Sequence, residues 1–158
     1  MAKLGGYMGK ILDVDLTTKS HRLYPFSNED RKKYLGGKTI AAKILLDELK
    51  PGIDPLSTDN ILVFMTVPLT GTGAPCTSRF DVSTKSVMTG GIGSSNCGGK
   101  LGIYLKRAGY DGMIVRGKSE NPVLLEINEK EVLFHESRHL WGFDTEEAQH
   151  HLTEIFGK

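Results

Sequence analysis

The chain has 158 residues, which suits one domain that buries roughly 68–70% of the surface its unfolded form exposes. Hydrophobic residues make up 39% and charged residues 25%, and the net charge is +1, so no basic stripe favours nucleic acid. No apolar run approaches the roughly 20 residues that span a bilayer, and residues 1–10 lack the apolar core of a secretory signal; we therefore expect a cytoplasmic protein that binds neither membrane nor nucleic acid.

Apolar periodicity predicts the secondary structure along the chain. Alternating apolar residues predict a hairpin at 9–16 and 21–24, then strands at 61–66, 80–86, 112–116, 123–127 and 132–135. Helical spacing and capping residues predict helices at 27–35, 39–49, 100–108 and 144–156. Because the strands come in hairpins, the predicted fold class is α+β: strand-rich, hairpin-containing sheets with flanking helices, in a single domain over 1–158.

The sequence contains two cysteines, Cys76 and Cys97, and no Cys-x-x-Cys pair. A four-cysteine iron–sulfur site cannot be built from this chain alone. We expect two reduced thiols, at least one of them partly buried.

A glycine-rich stretch at 90–99 is predicted to be a loop that leads into the helix at 100–108. Such a loop can turn backbone N–H groups toward an anion, and the helix N-terminus adds a favourable dipole. It is not a Walker A loop, because Ser94 and Leu101 stand where glycine and Ser/Thr belong. It is not a dinucleotide fingerprint either, because Asn96 replaces the third glycine. Ligand binding and a purely structural tight loop both stay open.

Two further groups of residues have a chemical and a structural interpretation. Arg79, at the start of a predicted strand, can offer a bidentate fork to a phosphate, although arginines at strand starts are usually solvated. Residues 135–139 spell His-Glu-Ser-Arg-His, the zinc-protease pattern, whose two histidines must share one helical face. Here His135 ends a predicted strand, so we favour a strand end followed by a turn.

Segments along nearly the whole chain, in order and at matching spacing, point to one family: 7–12, 34–37, 41–45, 68–72, 78–80, 84–86, 89–93, 96–99, 105–111 and 139–142. Together they resemble the N-terminal domain of the tungsten-containing aldehyde:ferredoxin oxidoreductase family, which has a relative branch that reduces benzoyl-coenzyme A. Lys38, Val67 and Cys97 depart from residues that are common in the family.

The resemblance implies a cofactor and its binding residues. The cofactor is tungsten held by two pterins of the molybdopterin type, with magnesium linking the pterin phosphates. Arg79 would approach a pterin phosphate, Asn96 would lend its backbone carbonyl to the magnesium, and Gly98 and Gly99 would let the backbone approach the cofactor. The resemblance assigns no catalytic residue to this chain.

The family's domain is longer than this chain, so the resemblance implies a C-terminally incomplete base domain. The implied function is the N-terminal part, a fragment or small subunit, of an enzyme that oxidises aldehydes to carboxylic acids. A 4Fe–4S cluster in the remaining domains or a larger catalytic subunit would pass the electrons to ferredoxin. The alternative is a non-catalytic stand-alone paralogue that acts as a cofactor-binding or assembly module. A homodimer through an apolar face is a further expectation.

Overall fold

The structure is a computed structural model that describes residues 5–157. Its strands are β1 (Ile11–Asp15), β2 (Ser20–Tyr24), β3 (Ile61–Thr66), β4 (Phe80–Lys85), β5 (Ile92–Cys97), β6 (Gly112–Arg116), β7 (Val123–Ile127) and β8 (Val132–Glu136). Its helices are α1 (Asn28–Tyr34), α2 (Gly37–Glu48), α3 (Leu101–Arg107) and α4 (Thr145–Phe156), with a 3₁₀ turn at Arg138–Leu140. Every predicted strand and helix is present, and β5 is a strand that the sequence did not predict. No helix within residues 5–157 is long and apolar enough to cross a bilayer.

Six strands form one mixed sheet in the order β2-β1-β6-β3-β4-β5, and β7 and β8 form a separate antiparallel hairpin. Strands β1 and β6 run parallel, and the other neighbours in the sheet run antiparallel. The α+β prediction is therefore confirmed, and the sheet is mixed because β6 inserts between β1 and β3.

Strand β1 is buried because its two faces contact two different cores. Ile11 packs with helix α2 and with the buried residues of β3 and β6. Leu12 and Val14 point to the opposite face and pack against Val132 of the β7–β8 hairpin. Full burial of such side chains contributes about 1.5–3 kcal/mol each.

Helix α2 covers one face of the sheet and extends over β4. Ile40, Ile44 and Leu45 lie on its buried side, at the spacing expected of a helix that packs with one face. The helix contacts β3 and β4 along its length. Its first residue, Gly37, is thereby brought to the end of the sheet at which β4 begins and β5 ends.

A buried ion pair fastens the N-terminal segment to the sheet. Lys106 Nζ lies 2.6 Å from Asp111 Oδ1, and both side chains are almost fully buried. The Asp111 carboxylate also accepts hydrogen bonds from the backbone N–H groups of Met8 and Gly9, at 3.0 and 2.6 Å. Lys106 donates a further bond to the carbonyl of Gly6. These bonds fix the course of residues 6–9 beside β6.

Candidate functional site

The predicted glycine-rich loop is, for most of its length, an edge strand. Residues 92–97 form β5 and pair with β4, so the loop prediction is wrong there and holds only for the residues on either side. Pairing with a neighbouring strand overrides the weak strand preference of glycine, serine and asparagine. Because Phe80 pairs with Cys97 and Asp81 with Asn96, the register brings the start of β4 next to the end of β5.

This register brings two predicted site residues into direct contact. Arg79 Nη1 donates a hydrogen bond of 2.5 Å to Asn96 Oδ1, and both side chains are exposed. The amide of Asn96 in turn donates to the carbonyl of Phe80 at 3.3 Å. Among the described residues no carboxylate forms an ion pair with Arg79. Its remaining N–H donors therefore face the surface, with their positive charge uncompensated by a neighbour.

The backbone carbonyl of Asn96 lies at the open edge of the sheet. In an antiparallel pair of strands, residues alternate between those that bond to the partner strand and those whose N–H and C=O groups point away from it. The Lys85 N–H points away from β5 and donates to Asn60 Oδ1. Asp81 lies four residues earlier in β4, so by the same alternation its N–H and C=O groups also point away from β5. Its partner Asn96 therefore directs its carbonyl away from β4.

The two glycines that follow β5 leave the backbone uncovered. A Cβ built on Gly98 or on Gly99 meets no protein atom within 4 Å. Gly99 has a φ of 90°, a left-handed conformation that favours glycine for backbone reasons alone. Neither packing nor a positive φ requires glycine at position 98, and its bare backbone leaves room for a ligand.

Thr70 holds the backbone of Arg79 in place. Its buried hydroxyl donates to the Arg79 carbonyl at 3.0 Å and accepts a bond from the Val67 N–H at 3.2 Å. Helix α3 packs closely beside it, because a Cβ on Gly102 would lie 3.2 Å from the Thr70 methyl group and 3.3 Å from the Ser78 carbonyl. Through this hydrogen bond the loop at 68–72 fixes the position of the Arg79 backbone.

Three polar residues beside the site escaped the sequence analysis. Ser83 and Ser94 face each other across β4 and β5 with hydroxyls 3.2 Å apart, and the Ser94 hydroxyl lies 3.4 Å from the buried carboxylate of Asp81. Asp81 Oδ2 would lie 2.8 Å from a Cβ on Gly37, so the helix start closely approaches this carboxylate. The positive end of α2 stabilises a negative charge at this point. Arg79, Asp81 and Ser83 occupy every second position, which is the spacing of one strand face. This spacing is the signal from which the sequence could have placed Asp81 and Ser83 beside Arg79.

Both cysteines are free and exposed, so the expectation that one is partly buried is wrong. Cys76 lies in the loop before β4 with a φ of 59°, and Cys97 ends an edge strand. Neither position is covered by another described element.

The His-Glu-Ser-Arg-His segment adopts the predicted strand end and turn. His135 lies in β8 and its Nε2 is 2.8 Å from Glu126 Oε2, while His139 lies in the 3₁₀ turn. The two histidines do not share a helical face. Within residues 5–157 there is no group of three or more His, Cys, Asp or Glu side chains arranged to hold a metal ion.

The residues at the β4–β5 edge suit a phosphate and a hard cation. An unpaired guanidinium matches the bidentate geometry of phosphate, and an outward carbonyl is a ligand that magnesium accepts. The uncovered backbone at Gly98 gives such a ligand close access. The site therefore fits the phosphate and magnesium end of the cofactor that the resemblance implies.

Comparisons with known proteins identify the family to which the chain belongs. The family model "Aldehyde ferredoxin oxidoreductase, N-terminal domain" matches residues 11–158. The chain is 43% identical over 152 residues to the tungsten-containing aldehyde ferredoxin oxidoreductase of Pyrococcus horikoshii, covering 96% of this chain and 25% of the relative. It is 37% identical over 139 residues to an aliphatic sulfonate oxidoreductase, WOR-like subunit, of Pyrococcus furiosus, covering 86% of this chain and 22% of that protein.

A solved structure shares the fold. The active site complex BamBC of benzoyl coenzyme A reductase, in complex with 1,5-dienoyl-CoA, matches with a TM-score of 0.91 and 37% sequence identity. The match covers 96% of this chain and 23% of that chain. The chain spans about a quarter of the length of the relatives it matches. It therefore belongs to the aldehyde ferredoxin oxidoreductase family, a family with tungsten-containing members, and corresponds to the family's N-terminal domain.

Proposed function

We propose that this chain is the tungstopterin-binding N-terminal part of an aldehyde:ferredoxin oxidoreductase-like enzyme, with Arg79, Asn96, Gly98 and Gly99 at the cofactor. One observation carries the proposal. An exposed arginine, which has no acidic partner among the described residues, lies beside a backbone carbonyl that points away from the sheet.

Each residue has a separate task in this proposal. The free N–H groups of Arg79 would bind a pterin phosphate, and the carbonyl of Asn96 would bind the magnesium. The hydrogen bond between these two side chains fixes the arginine's orientation before the ligand arrives. Gly98 and Gly99 allow the phosphate to approach the main chain.

The bound tungsten–dithiolene group would supply the two-electron redox chemistry that oxidises an aldehyde to a carboxylic acid. This chain's own residues bind and orient the group. The iron–sulfur cluster belongs to the remaining domains, because two cysteines cannot ligate a four-cysteine cluster. The substrate pocket and the contact with ferredoxin belong to those domains as well. The aldehyde assignment follows the Pyrococcus horikoshii relative, which is more similar to the chain than the sulfonate oxidoreductase subunit is.

The test compares Arg79→Ala, Arg79→Lys and Arg138→Ala in the complex with the family's remaining domains. Arg138 is a matched control, because it is also an exposed arginine but lies in the 3₁₀ turn after β8. Loss of a charge-assisted hydrogen bond to phosphate should lower bound pterin about tenfold or more in Arg79→Ala. Arg79→Lys should retain part of it, and Arg138→Ala should match the parent. Bound pterin is measured by the fluorescence of its oxidised product and tungsten by elemental analysis.

Unchanged pterin and tungsten in Arg79→Ala would refute the assignment of this site.

The cysteine content also favours a second candidate, a stand-alone module that carries the cofactor or assists assembly. Aldehyde-dependent reduction of a viologen dye separates the two functions. The preparation from native cells shows this activity if the chain serves an oxidoreductase, and binds pterin without activity if it is a carrier.

A further inference from the structure

Helix α2 begins beside the proposed cofactor site, at the end of the sheet where β4 starts and β5 ends. A Cβ on Gly37 would lie 2.8 Å from Asp81 Oδ2, and one on Gly36 would lie 2.8 Å from the carbonyl oxygen of Thr66. The start of the helix is therefore packed directly against the end of β3 and the start of β4. Since Asp81 pairs with Asn96, the first turn of α2 lies next to residues that are proposed to hold the phosphate and the magnesium.

One flank of α2 faces helix α1 and the β1 side of the sheet. Lys43 Nζ lies 3.8 Å from an Asp30 carboxylate oxygen in α1, and it also pairs with Asp47 one turn further along α2. Helix α1 is itself bonded to the segment just before β1, because Arg31 donates to the carbonyl of Gly9 at 3.0 Å. In the sheet, β5 lies at the edge opposite to β2 and β1. The flank that carries Lys43 and Asp47 therefore points away from β5.

Lys38, the second residue of α2, lies on the other flank. It precedes Asp47 by about two and a half helical turns, which places the two residues on opposite sides of the helix. The flank with Lys38 therefore faces β5, which α2 also contacts. Lys38 is exposed, and within residues 5–157 no carboxylate forms an ion pair with it.

Two cations without an acidic partner among the described residues thus lie at the same end of this sheet face, Lys38 on the helix and Arg79 before β4. The carboxylate of Asp81 is buried beneath them and lies against the helix start at Gly37, whose positive end stabilises it. The two cations differ in chemistry. The guanidinium offers a rigid fork to one phosphate, whereas the ammonium is a compact charge on a flexible stem that can reach an anion from several directions.

We propose that Lys38 is a further binding residue of the site and supplies a second positive side chain to the phosphate end of the cofactor. A phosphate monoester carries about 1.5–2 negative charges at pH 7. Two of them exceed the combined charge of one magnesium ion and Arg79 by up to about one unit, which Lys38 neutralises. The inference rests on the proposed function, because the two phosphates are those of the proposed cofactor.

The test measures how fast pterin is released from the assembled protein in the series Lys38→Arg, Lys38→Gln and Lys38→Glu. At low ionic strength Lys38→Gln should release pterin about fivefold faster than the parent, as expected for the loss of one exposed charge pair. Lys38→Arg should behave like the parent, and Lys38→Glu should release pterin faster still. The differences should shrink in 1 M KCl, where the Debye length falls to about 3 Å. Released pterin is followed by the fluorescence of its oxidised product.

Lys50 provides the matched control. It is also an exposed lysine without an ion pair among the described residues, but it follows the opposite end of α2. Lys50→Gln and Lys50→Glu should release pterin at the parent rate at both salt concentrations. Lys38→Gln should leave the midpoint of urea unfolding unchanged, because the side chain is exposed and supports no described contact.

The inference is wrong if Lys38→Gln releases pterin at the parent rate, if Lys38→Arg releases it as fast as Lys38→Gln, or if Lys50→Gln has the same effect. Native mass spectrometry that shows loss of the assembly, with unchanged release from what remains, would also overturn it, because Lys38 would then contact another domain.

The proposed function fails separately, since its readout is the pterin content of Arg79→Ala. Loss of pterin in Arg79→Ala with unchanged release in Lys38→Gln would overturn only the role of Lys38. Full pterin in Arg79→Ala with faster release in Lys38→Gln would refute the assignment of Arg79 and leave Lys38 at the phosphates.

Discussion

Gly98 is the position at which ligand binding and stability are expected to separate. Its φ is not positive, and a Cβ there meets no protein atom within 4 Å. Gly98→Ala should therefore change the free energy of unfolding by no more than about 0.5 kcal/mol. The added methyl group occupies the approach of the pterin phosphate, so bound pterin in the assembled enzyme should fall. Urea unfolding of the chain and pterin analysis of the complex check the two halves, and a stable variant with full pterin would contradict the site.

Asp111 is the residue on which the N-terminal segment depends most. Its carboxylate contacts Lys106 and the N–H groups of Met8 and Gly9 in a nearly water-free position. Asp111→Asn leaves the buried ammonium without its counter-charge and should lower the free energy of unfolding by about 3 kcal/mol. Urea unfolding measures this difference. Asp59→Asn, at an exposed aspartate, should stay within about 0.5 kcal/mol of the parent. Equal stabilities of the two variants would show that the ion pair contributes little.

The resemblance identified Arg79 and Asn96 from the sequence, and the structure places their side chains in contact. Alternation along the chain could have added Asp81, but not its contact with Ser94, because that contact depends on the register between β4 and β5. Register is fixed by pairing of segments that a periodicity argument treats separately. The structure thus contributes the neighbours of the proposed site, while the sequence contributes Arg79 and Asn96, which are proposed to face the cofactor.

At the scale of single elements, the clearest test concerns the start of α1. The Ser27 hydroxyl accepts a bond from the Asp30 N–H, and the Asp30 carboxylate accepts one from the Ser27 N–H, which closes a capping box. The Ser27 hydroxyl also donates to the Asp30 carboxylate. This side-chain hydrogen bond from Ser27 holds the pKa of Asp30 below its ordinary value. Ser27→Ala should lower the free energy of unfolding by about 1 kcal/mol at neutral pH.

The pH dependence of this loss has a definite sign. A carboxyl group with a lowered folded-state pKa stabilises the fold above its unfolded pKa of about 4, and this contribution disappears as the pH falls through the folded value. The difference between the parent and Ser27→Ala should therefore shrink below about pH 4. Urea unfolding across this range measures it, and a difference that grows on acidification would contradict the capping account.

Strand β5 shows where element prediction from sequence fails. Gly93, Ser94 and Ser95 have low strand preference, and the glycines on both sides suggested a continuous loop. Pairing along the whole of β4 supplies the backbone hydrogen bonds that the side chains do not encourage. By contrast β1, β3 and α2 were predictable, because burial imposes an apolar pattern on each of them.

For the whole molecule, the α+β class was predictable but the strand order was not. Strand β6 lies between β1 and β3, and its partners are about a hundred residues away in the sequence for β1 and about fifty for β3. Local patterns contain no information about such pairing, because loop closure over that distance depends on the complete core. The β1–β2 hairpin, whose strands are close in sequence, was predicted correctly, whereas the β4–β5 hairpin was missed together with β5.

The same domain occurs in relatives with different names: an aldehyde oxidoreductase, a sulfonate oxidoreductase subunit and a benzoyl coenzyme A reductase complex. A domain shared among them is suited to a task that they have in common. Under the proposed function, holding the cofactor is such a task, whereas selecting the substrate is not. We therefore expect exchange of this domain between relatives to preserve bound pterin.

The proposed function requires this chain to hold tungstopterin together with the family's remaining domains. The most direct measurement is native mass spectrometry of the species that contains the chain, purified anaerobically from its own cells, with tungsten and pterin quantified in the same sample. We expect an assembly well above 17.3 kDa that carries both tungsten and pterin. A species of 17.3 kDa that carries neither would contradict it.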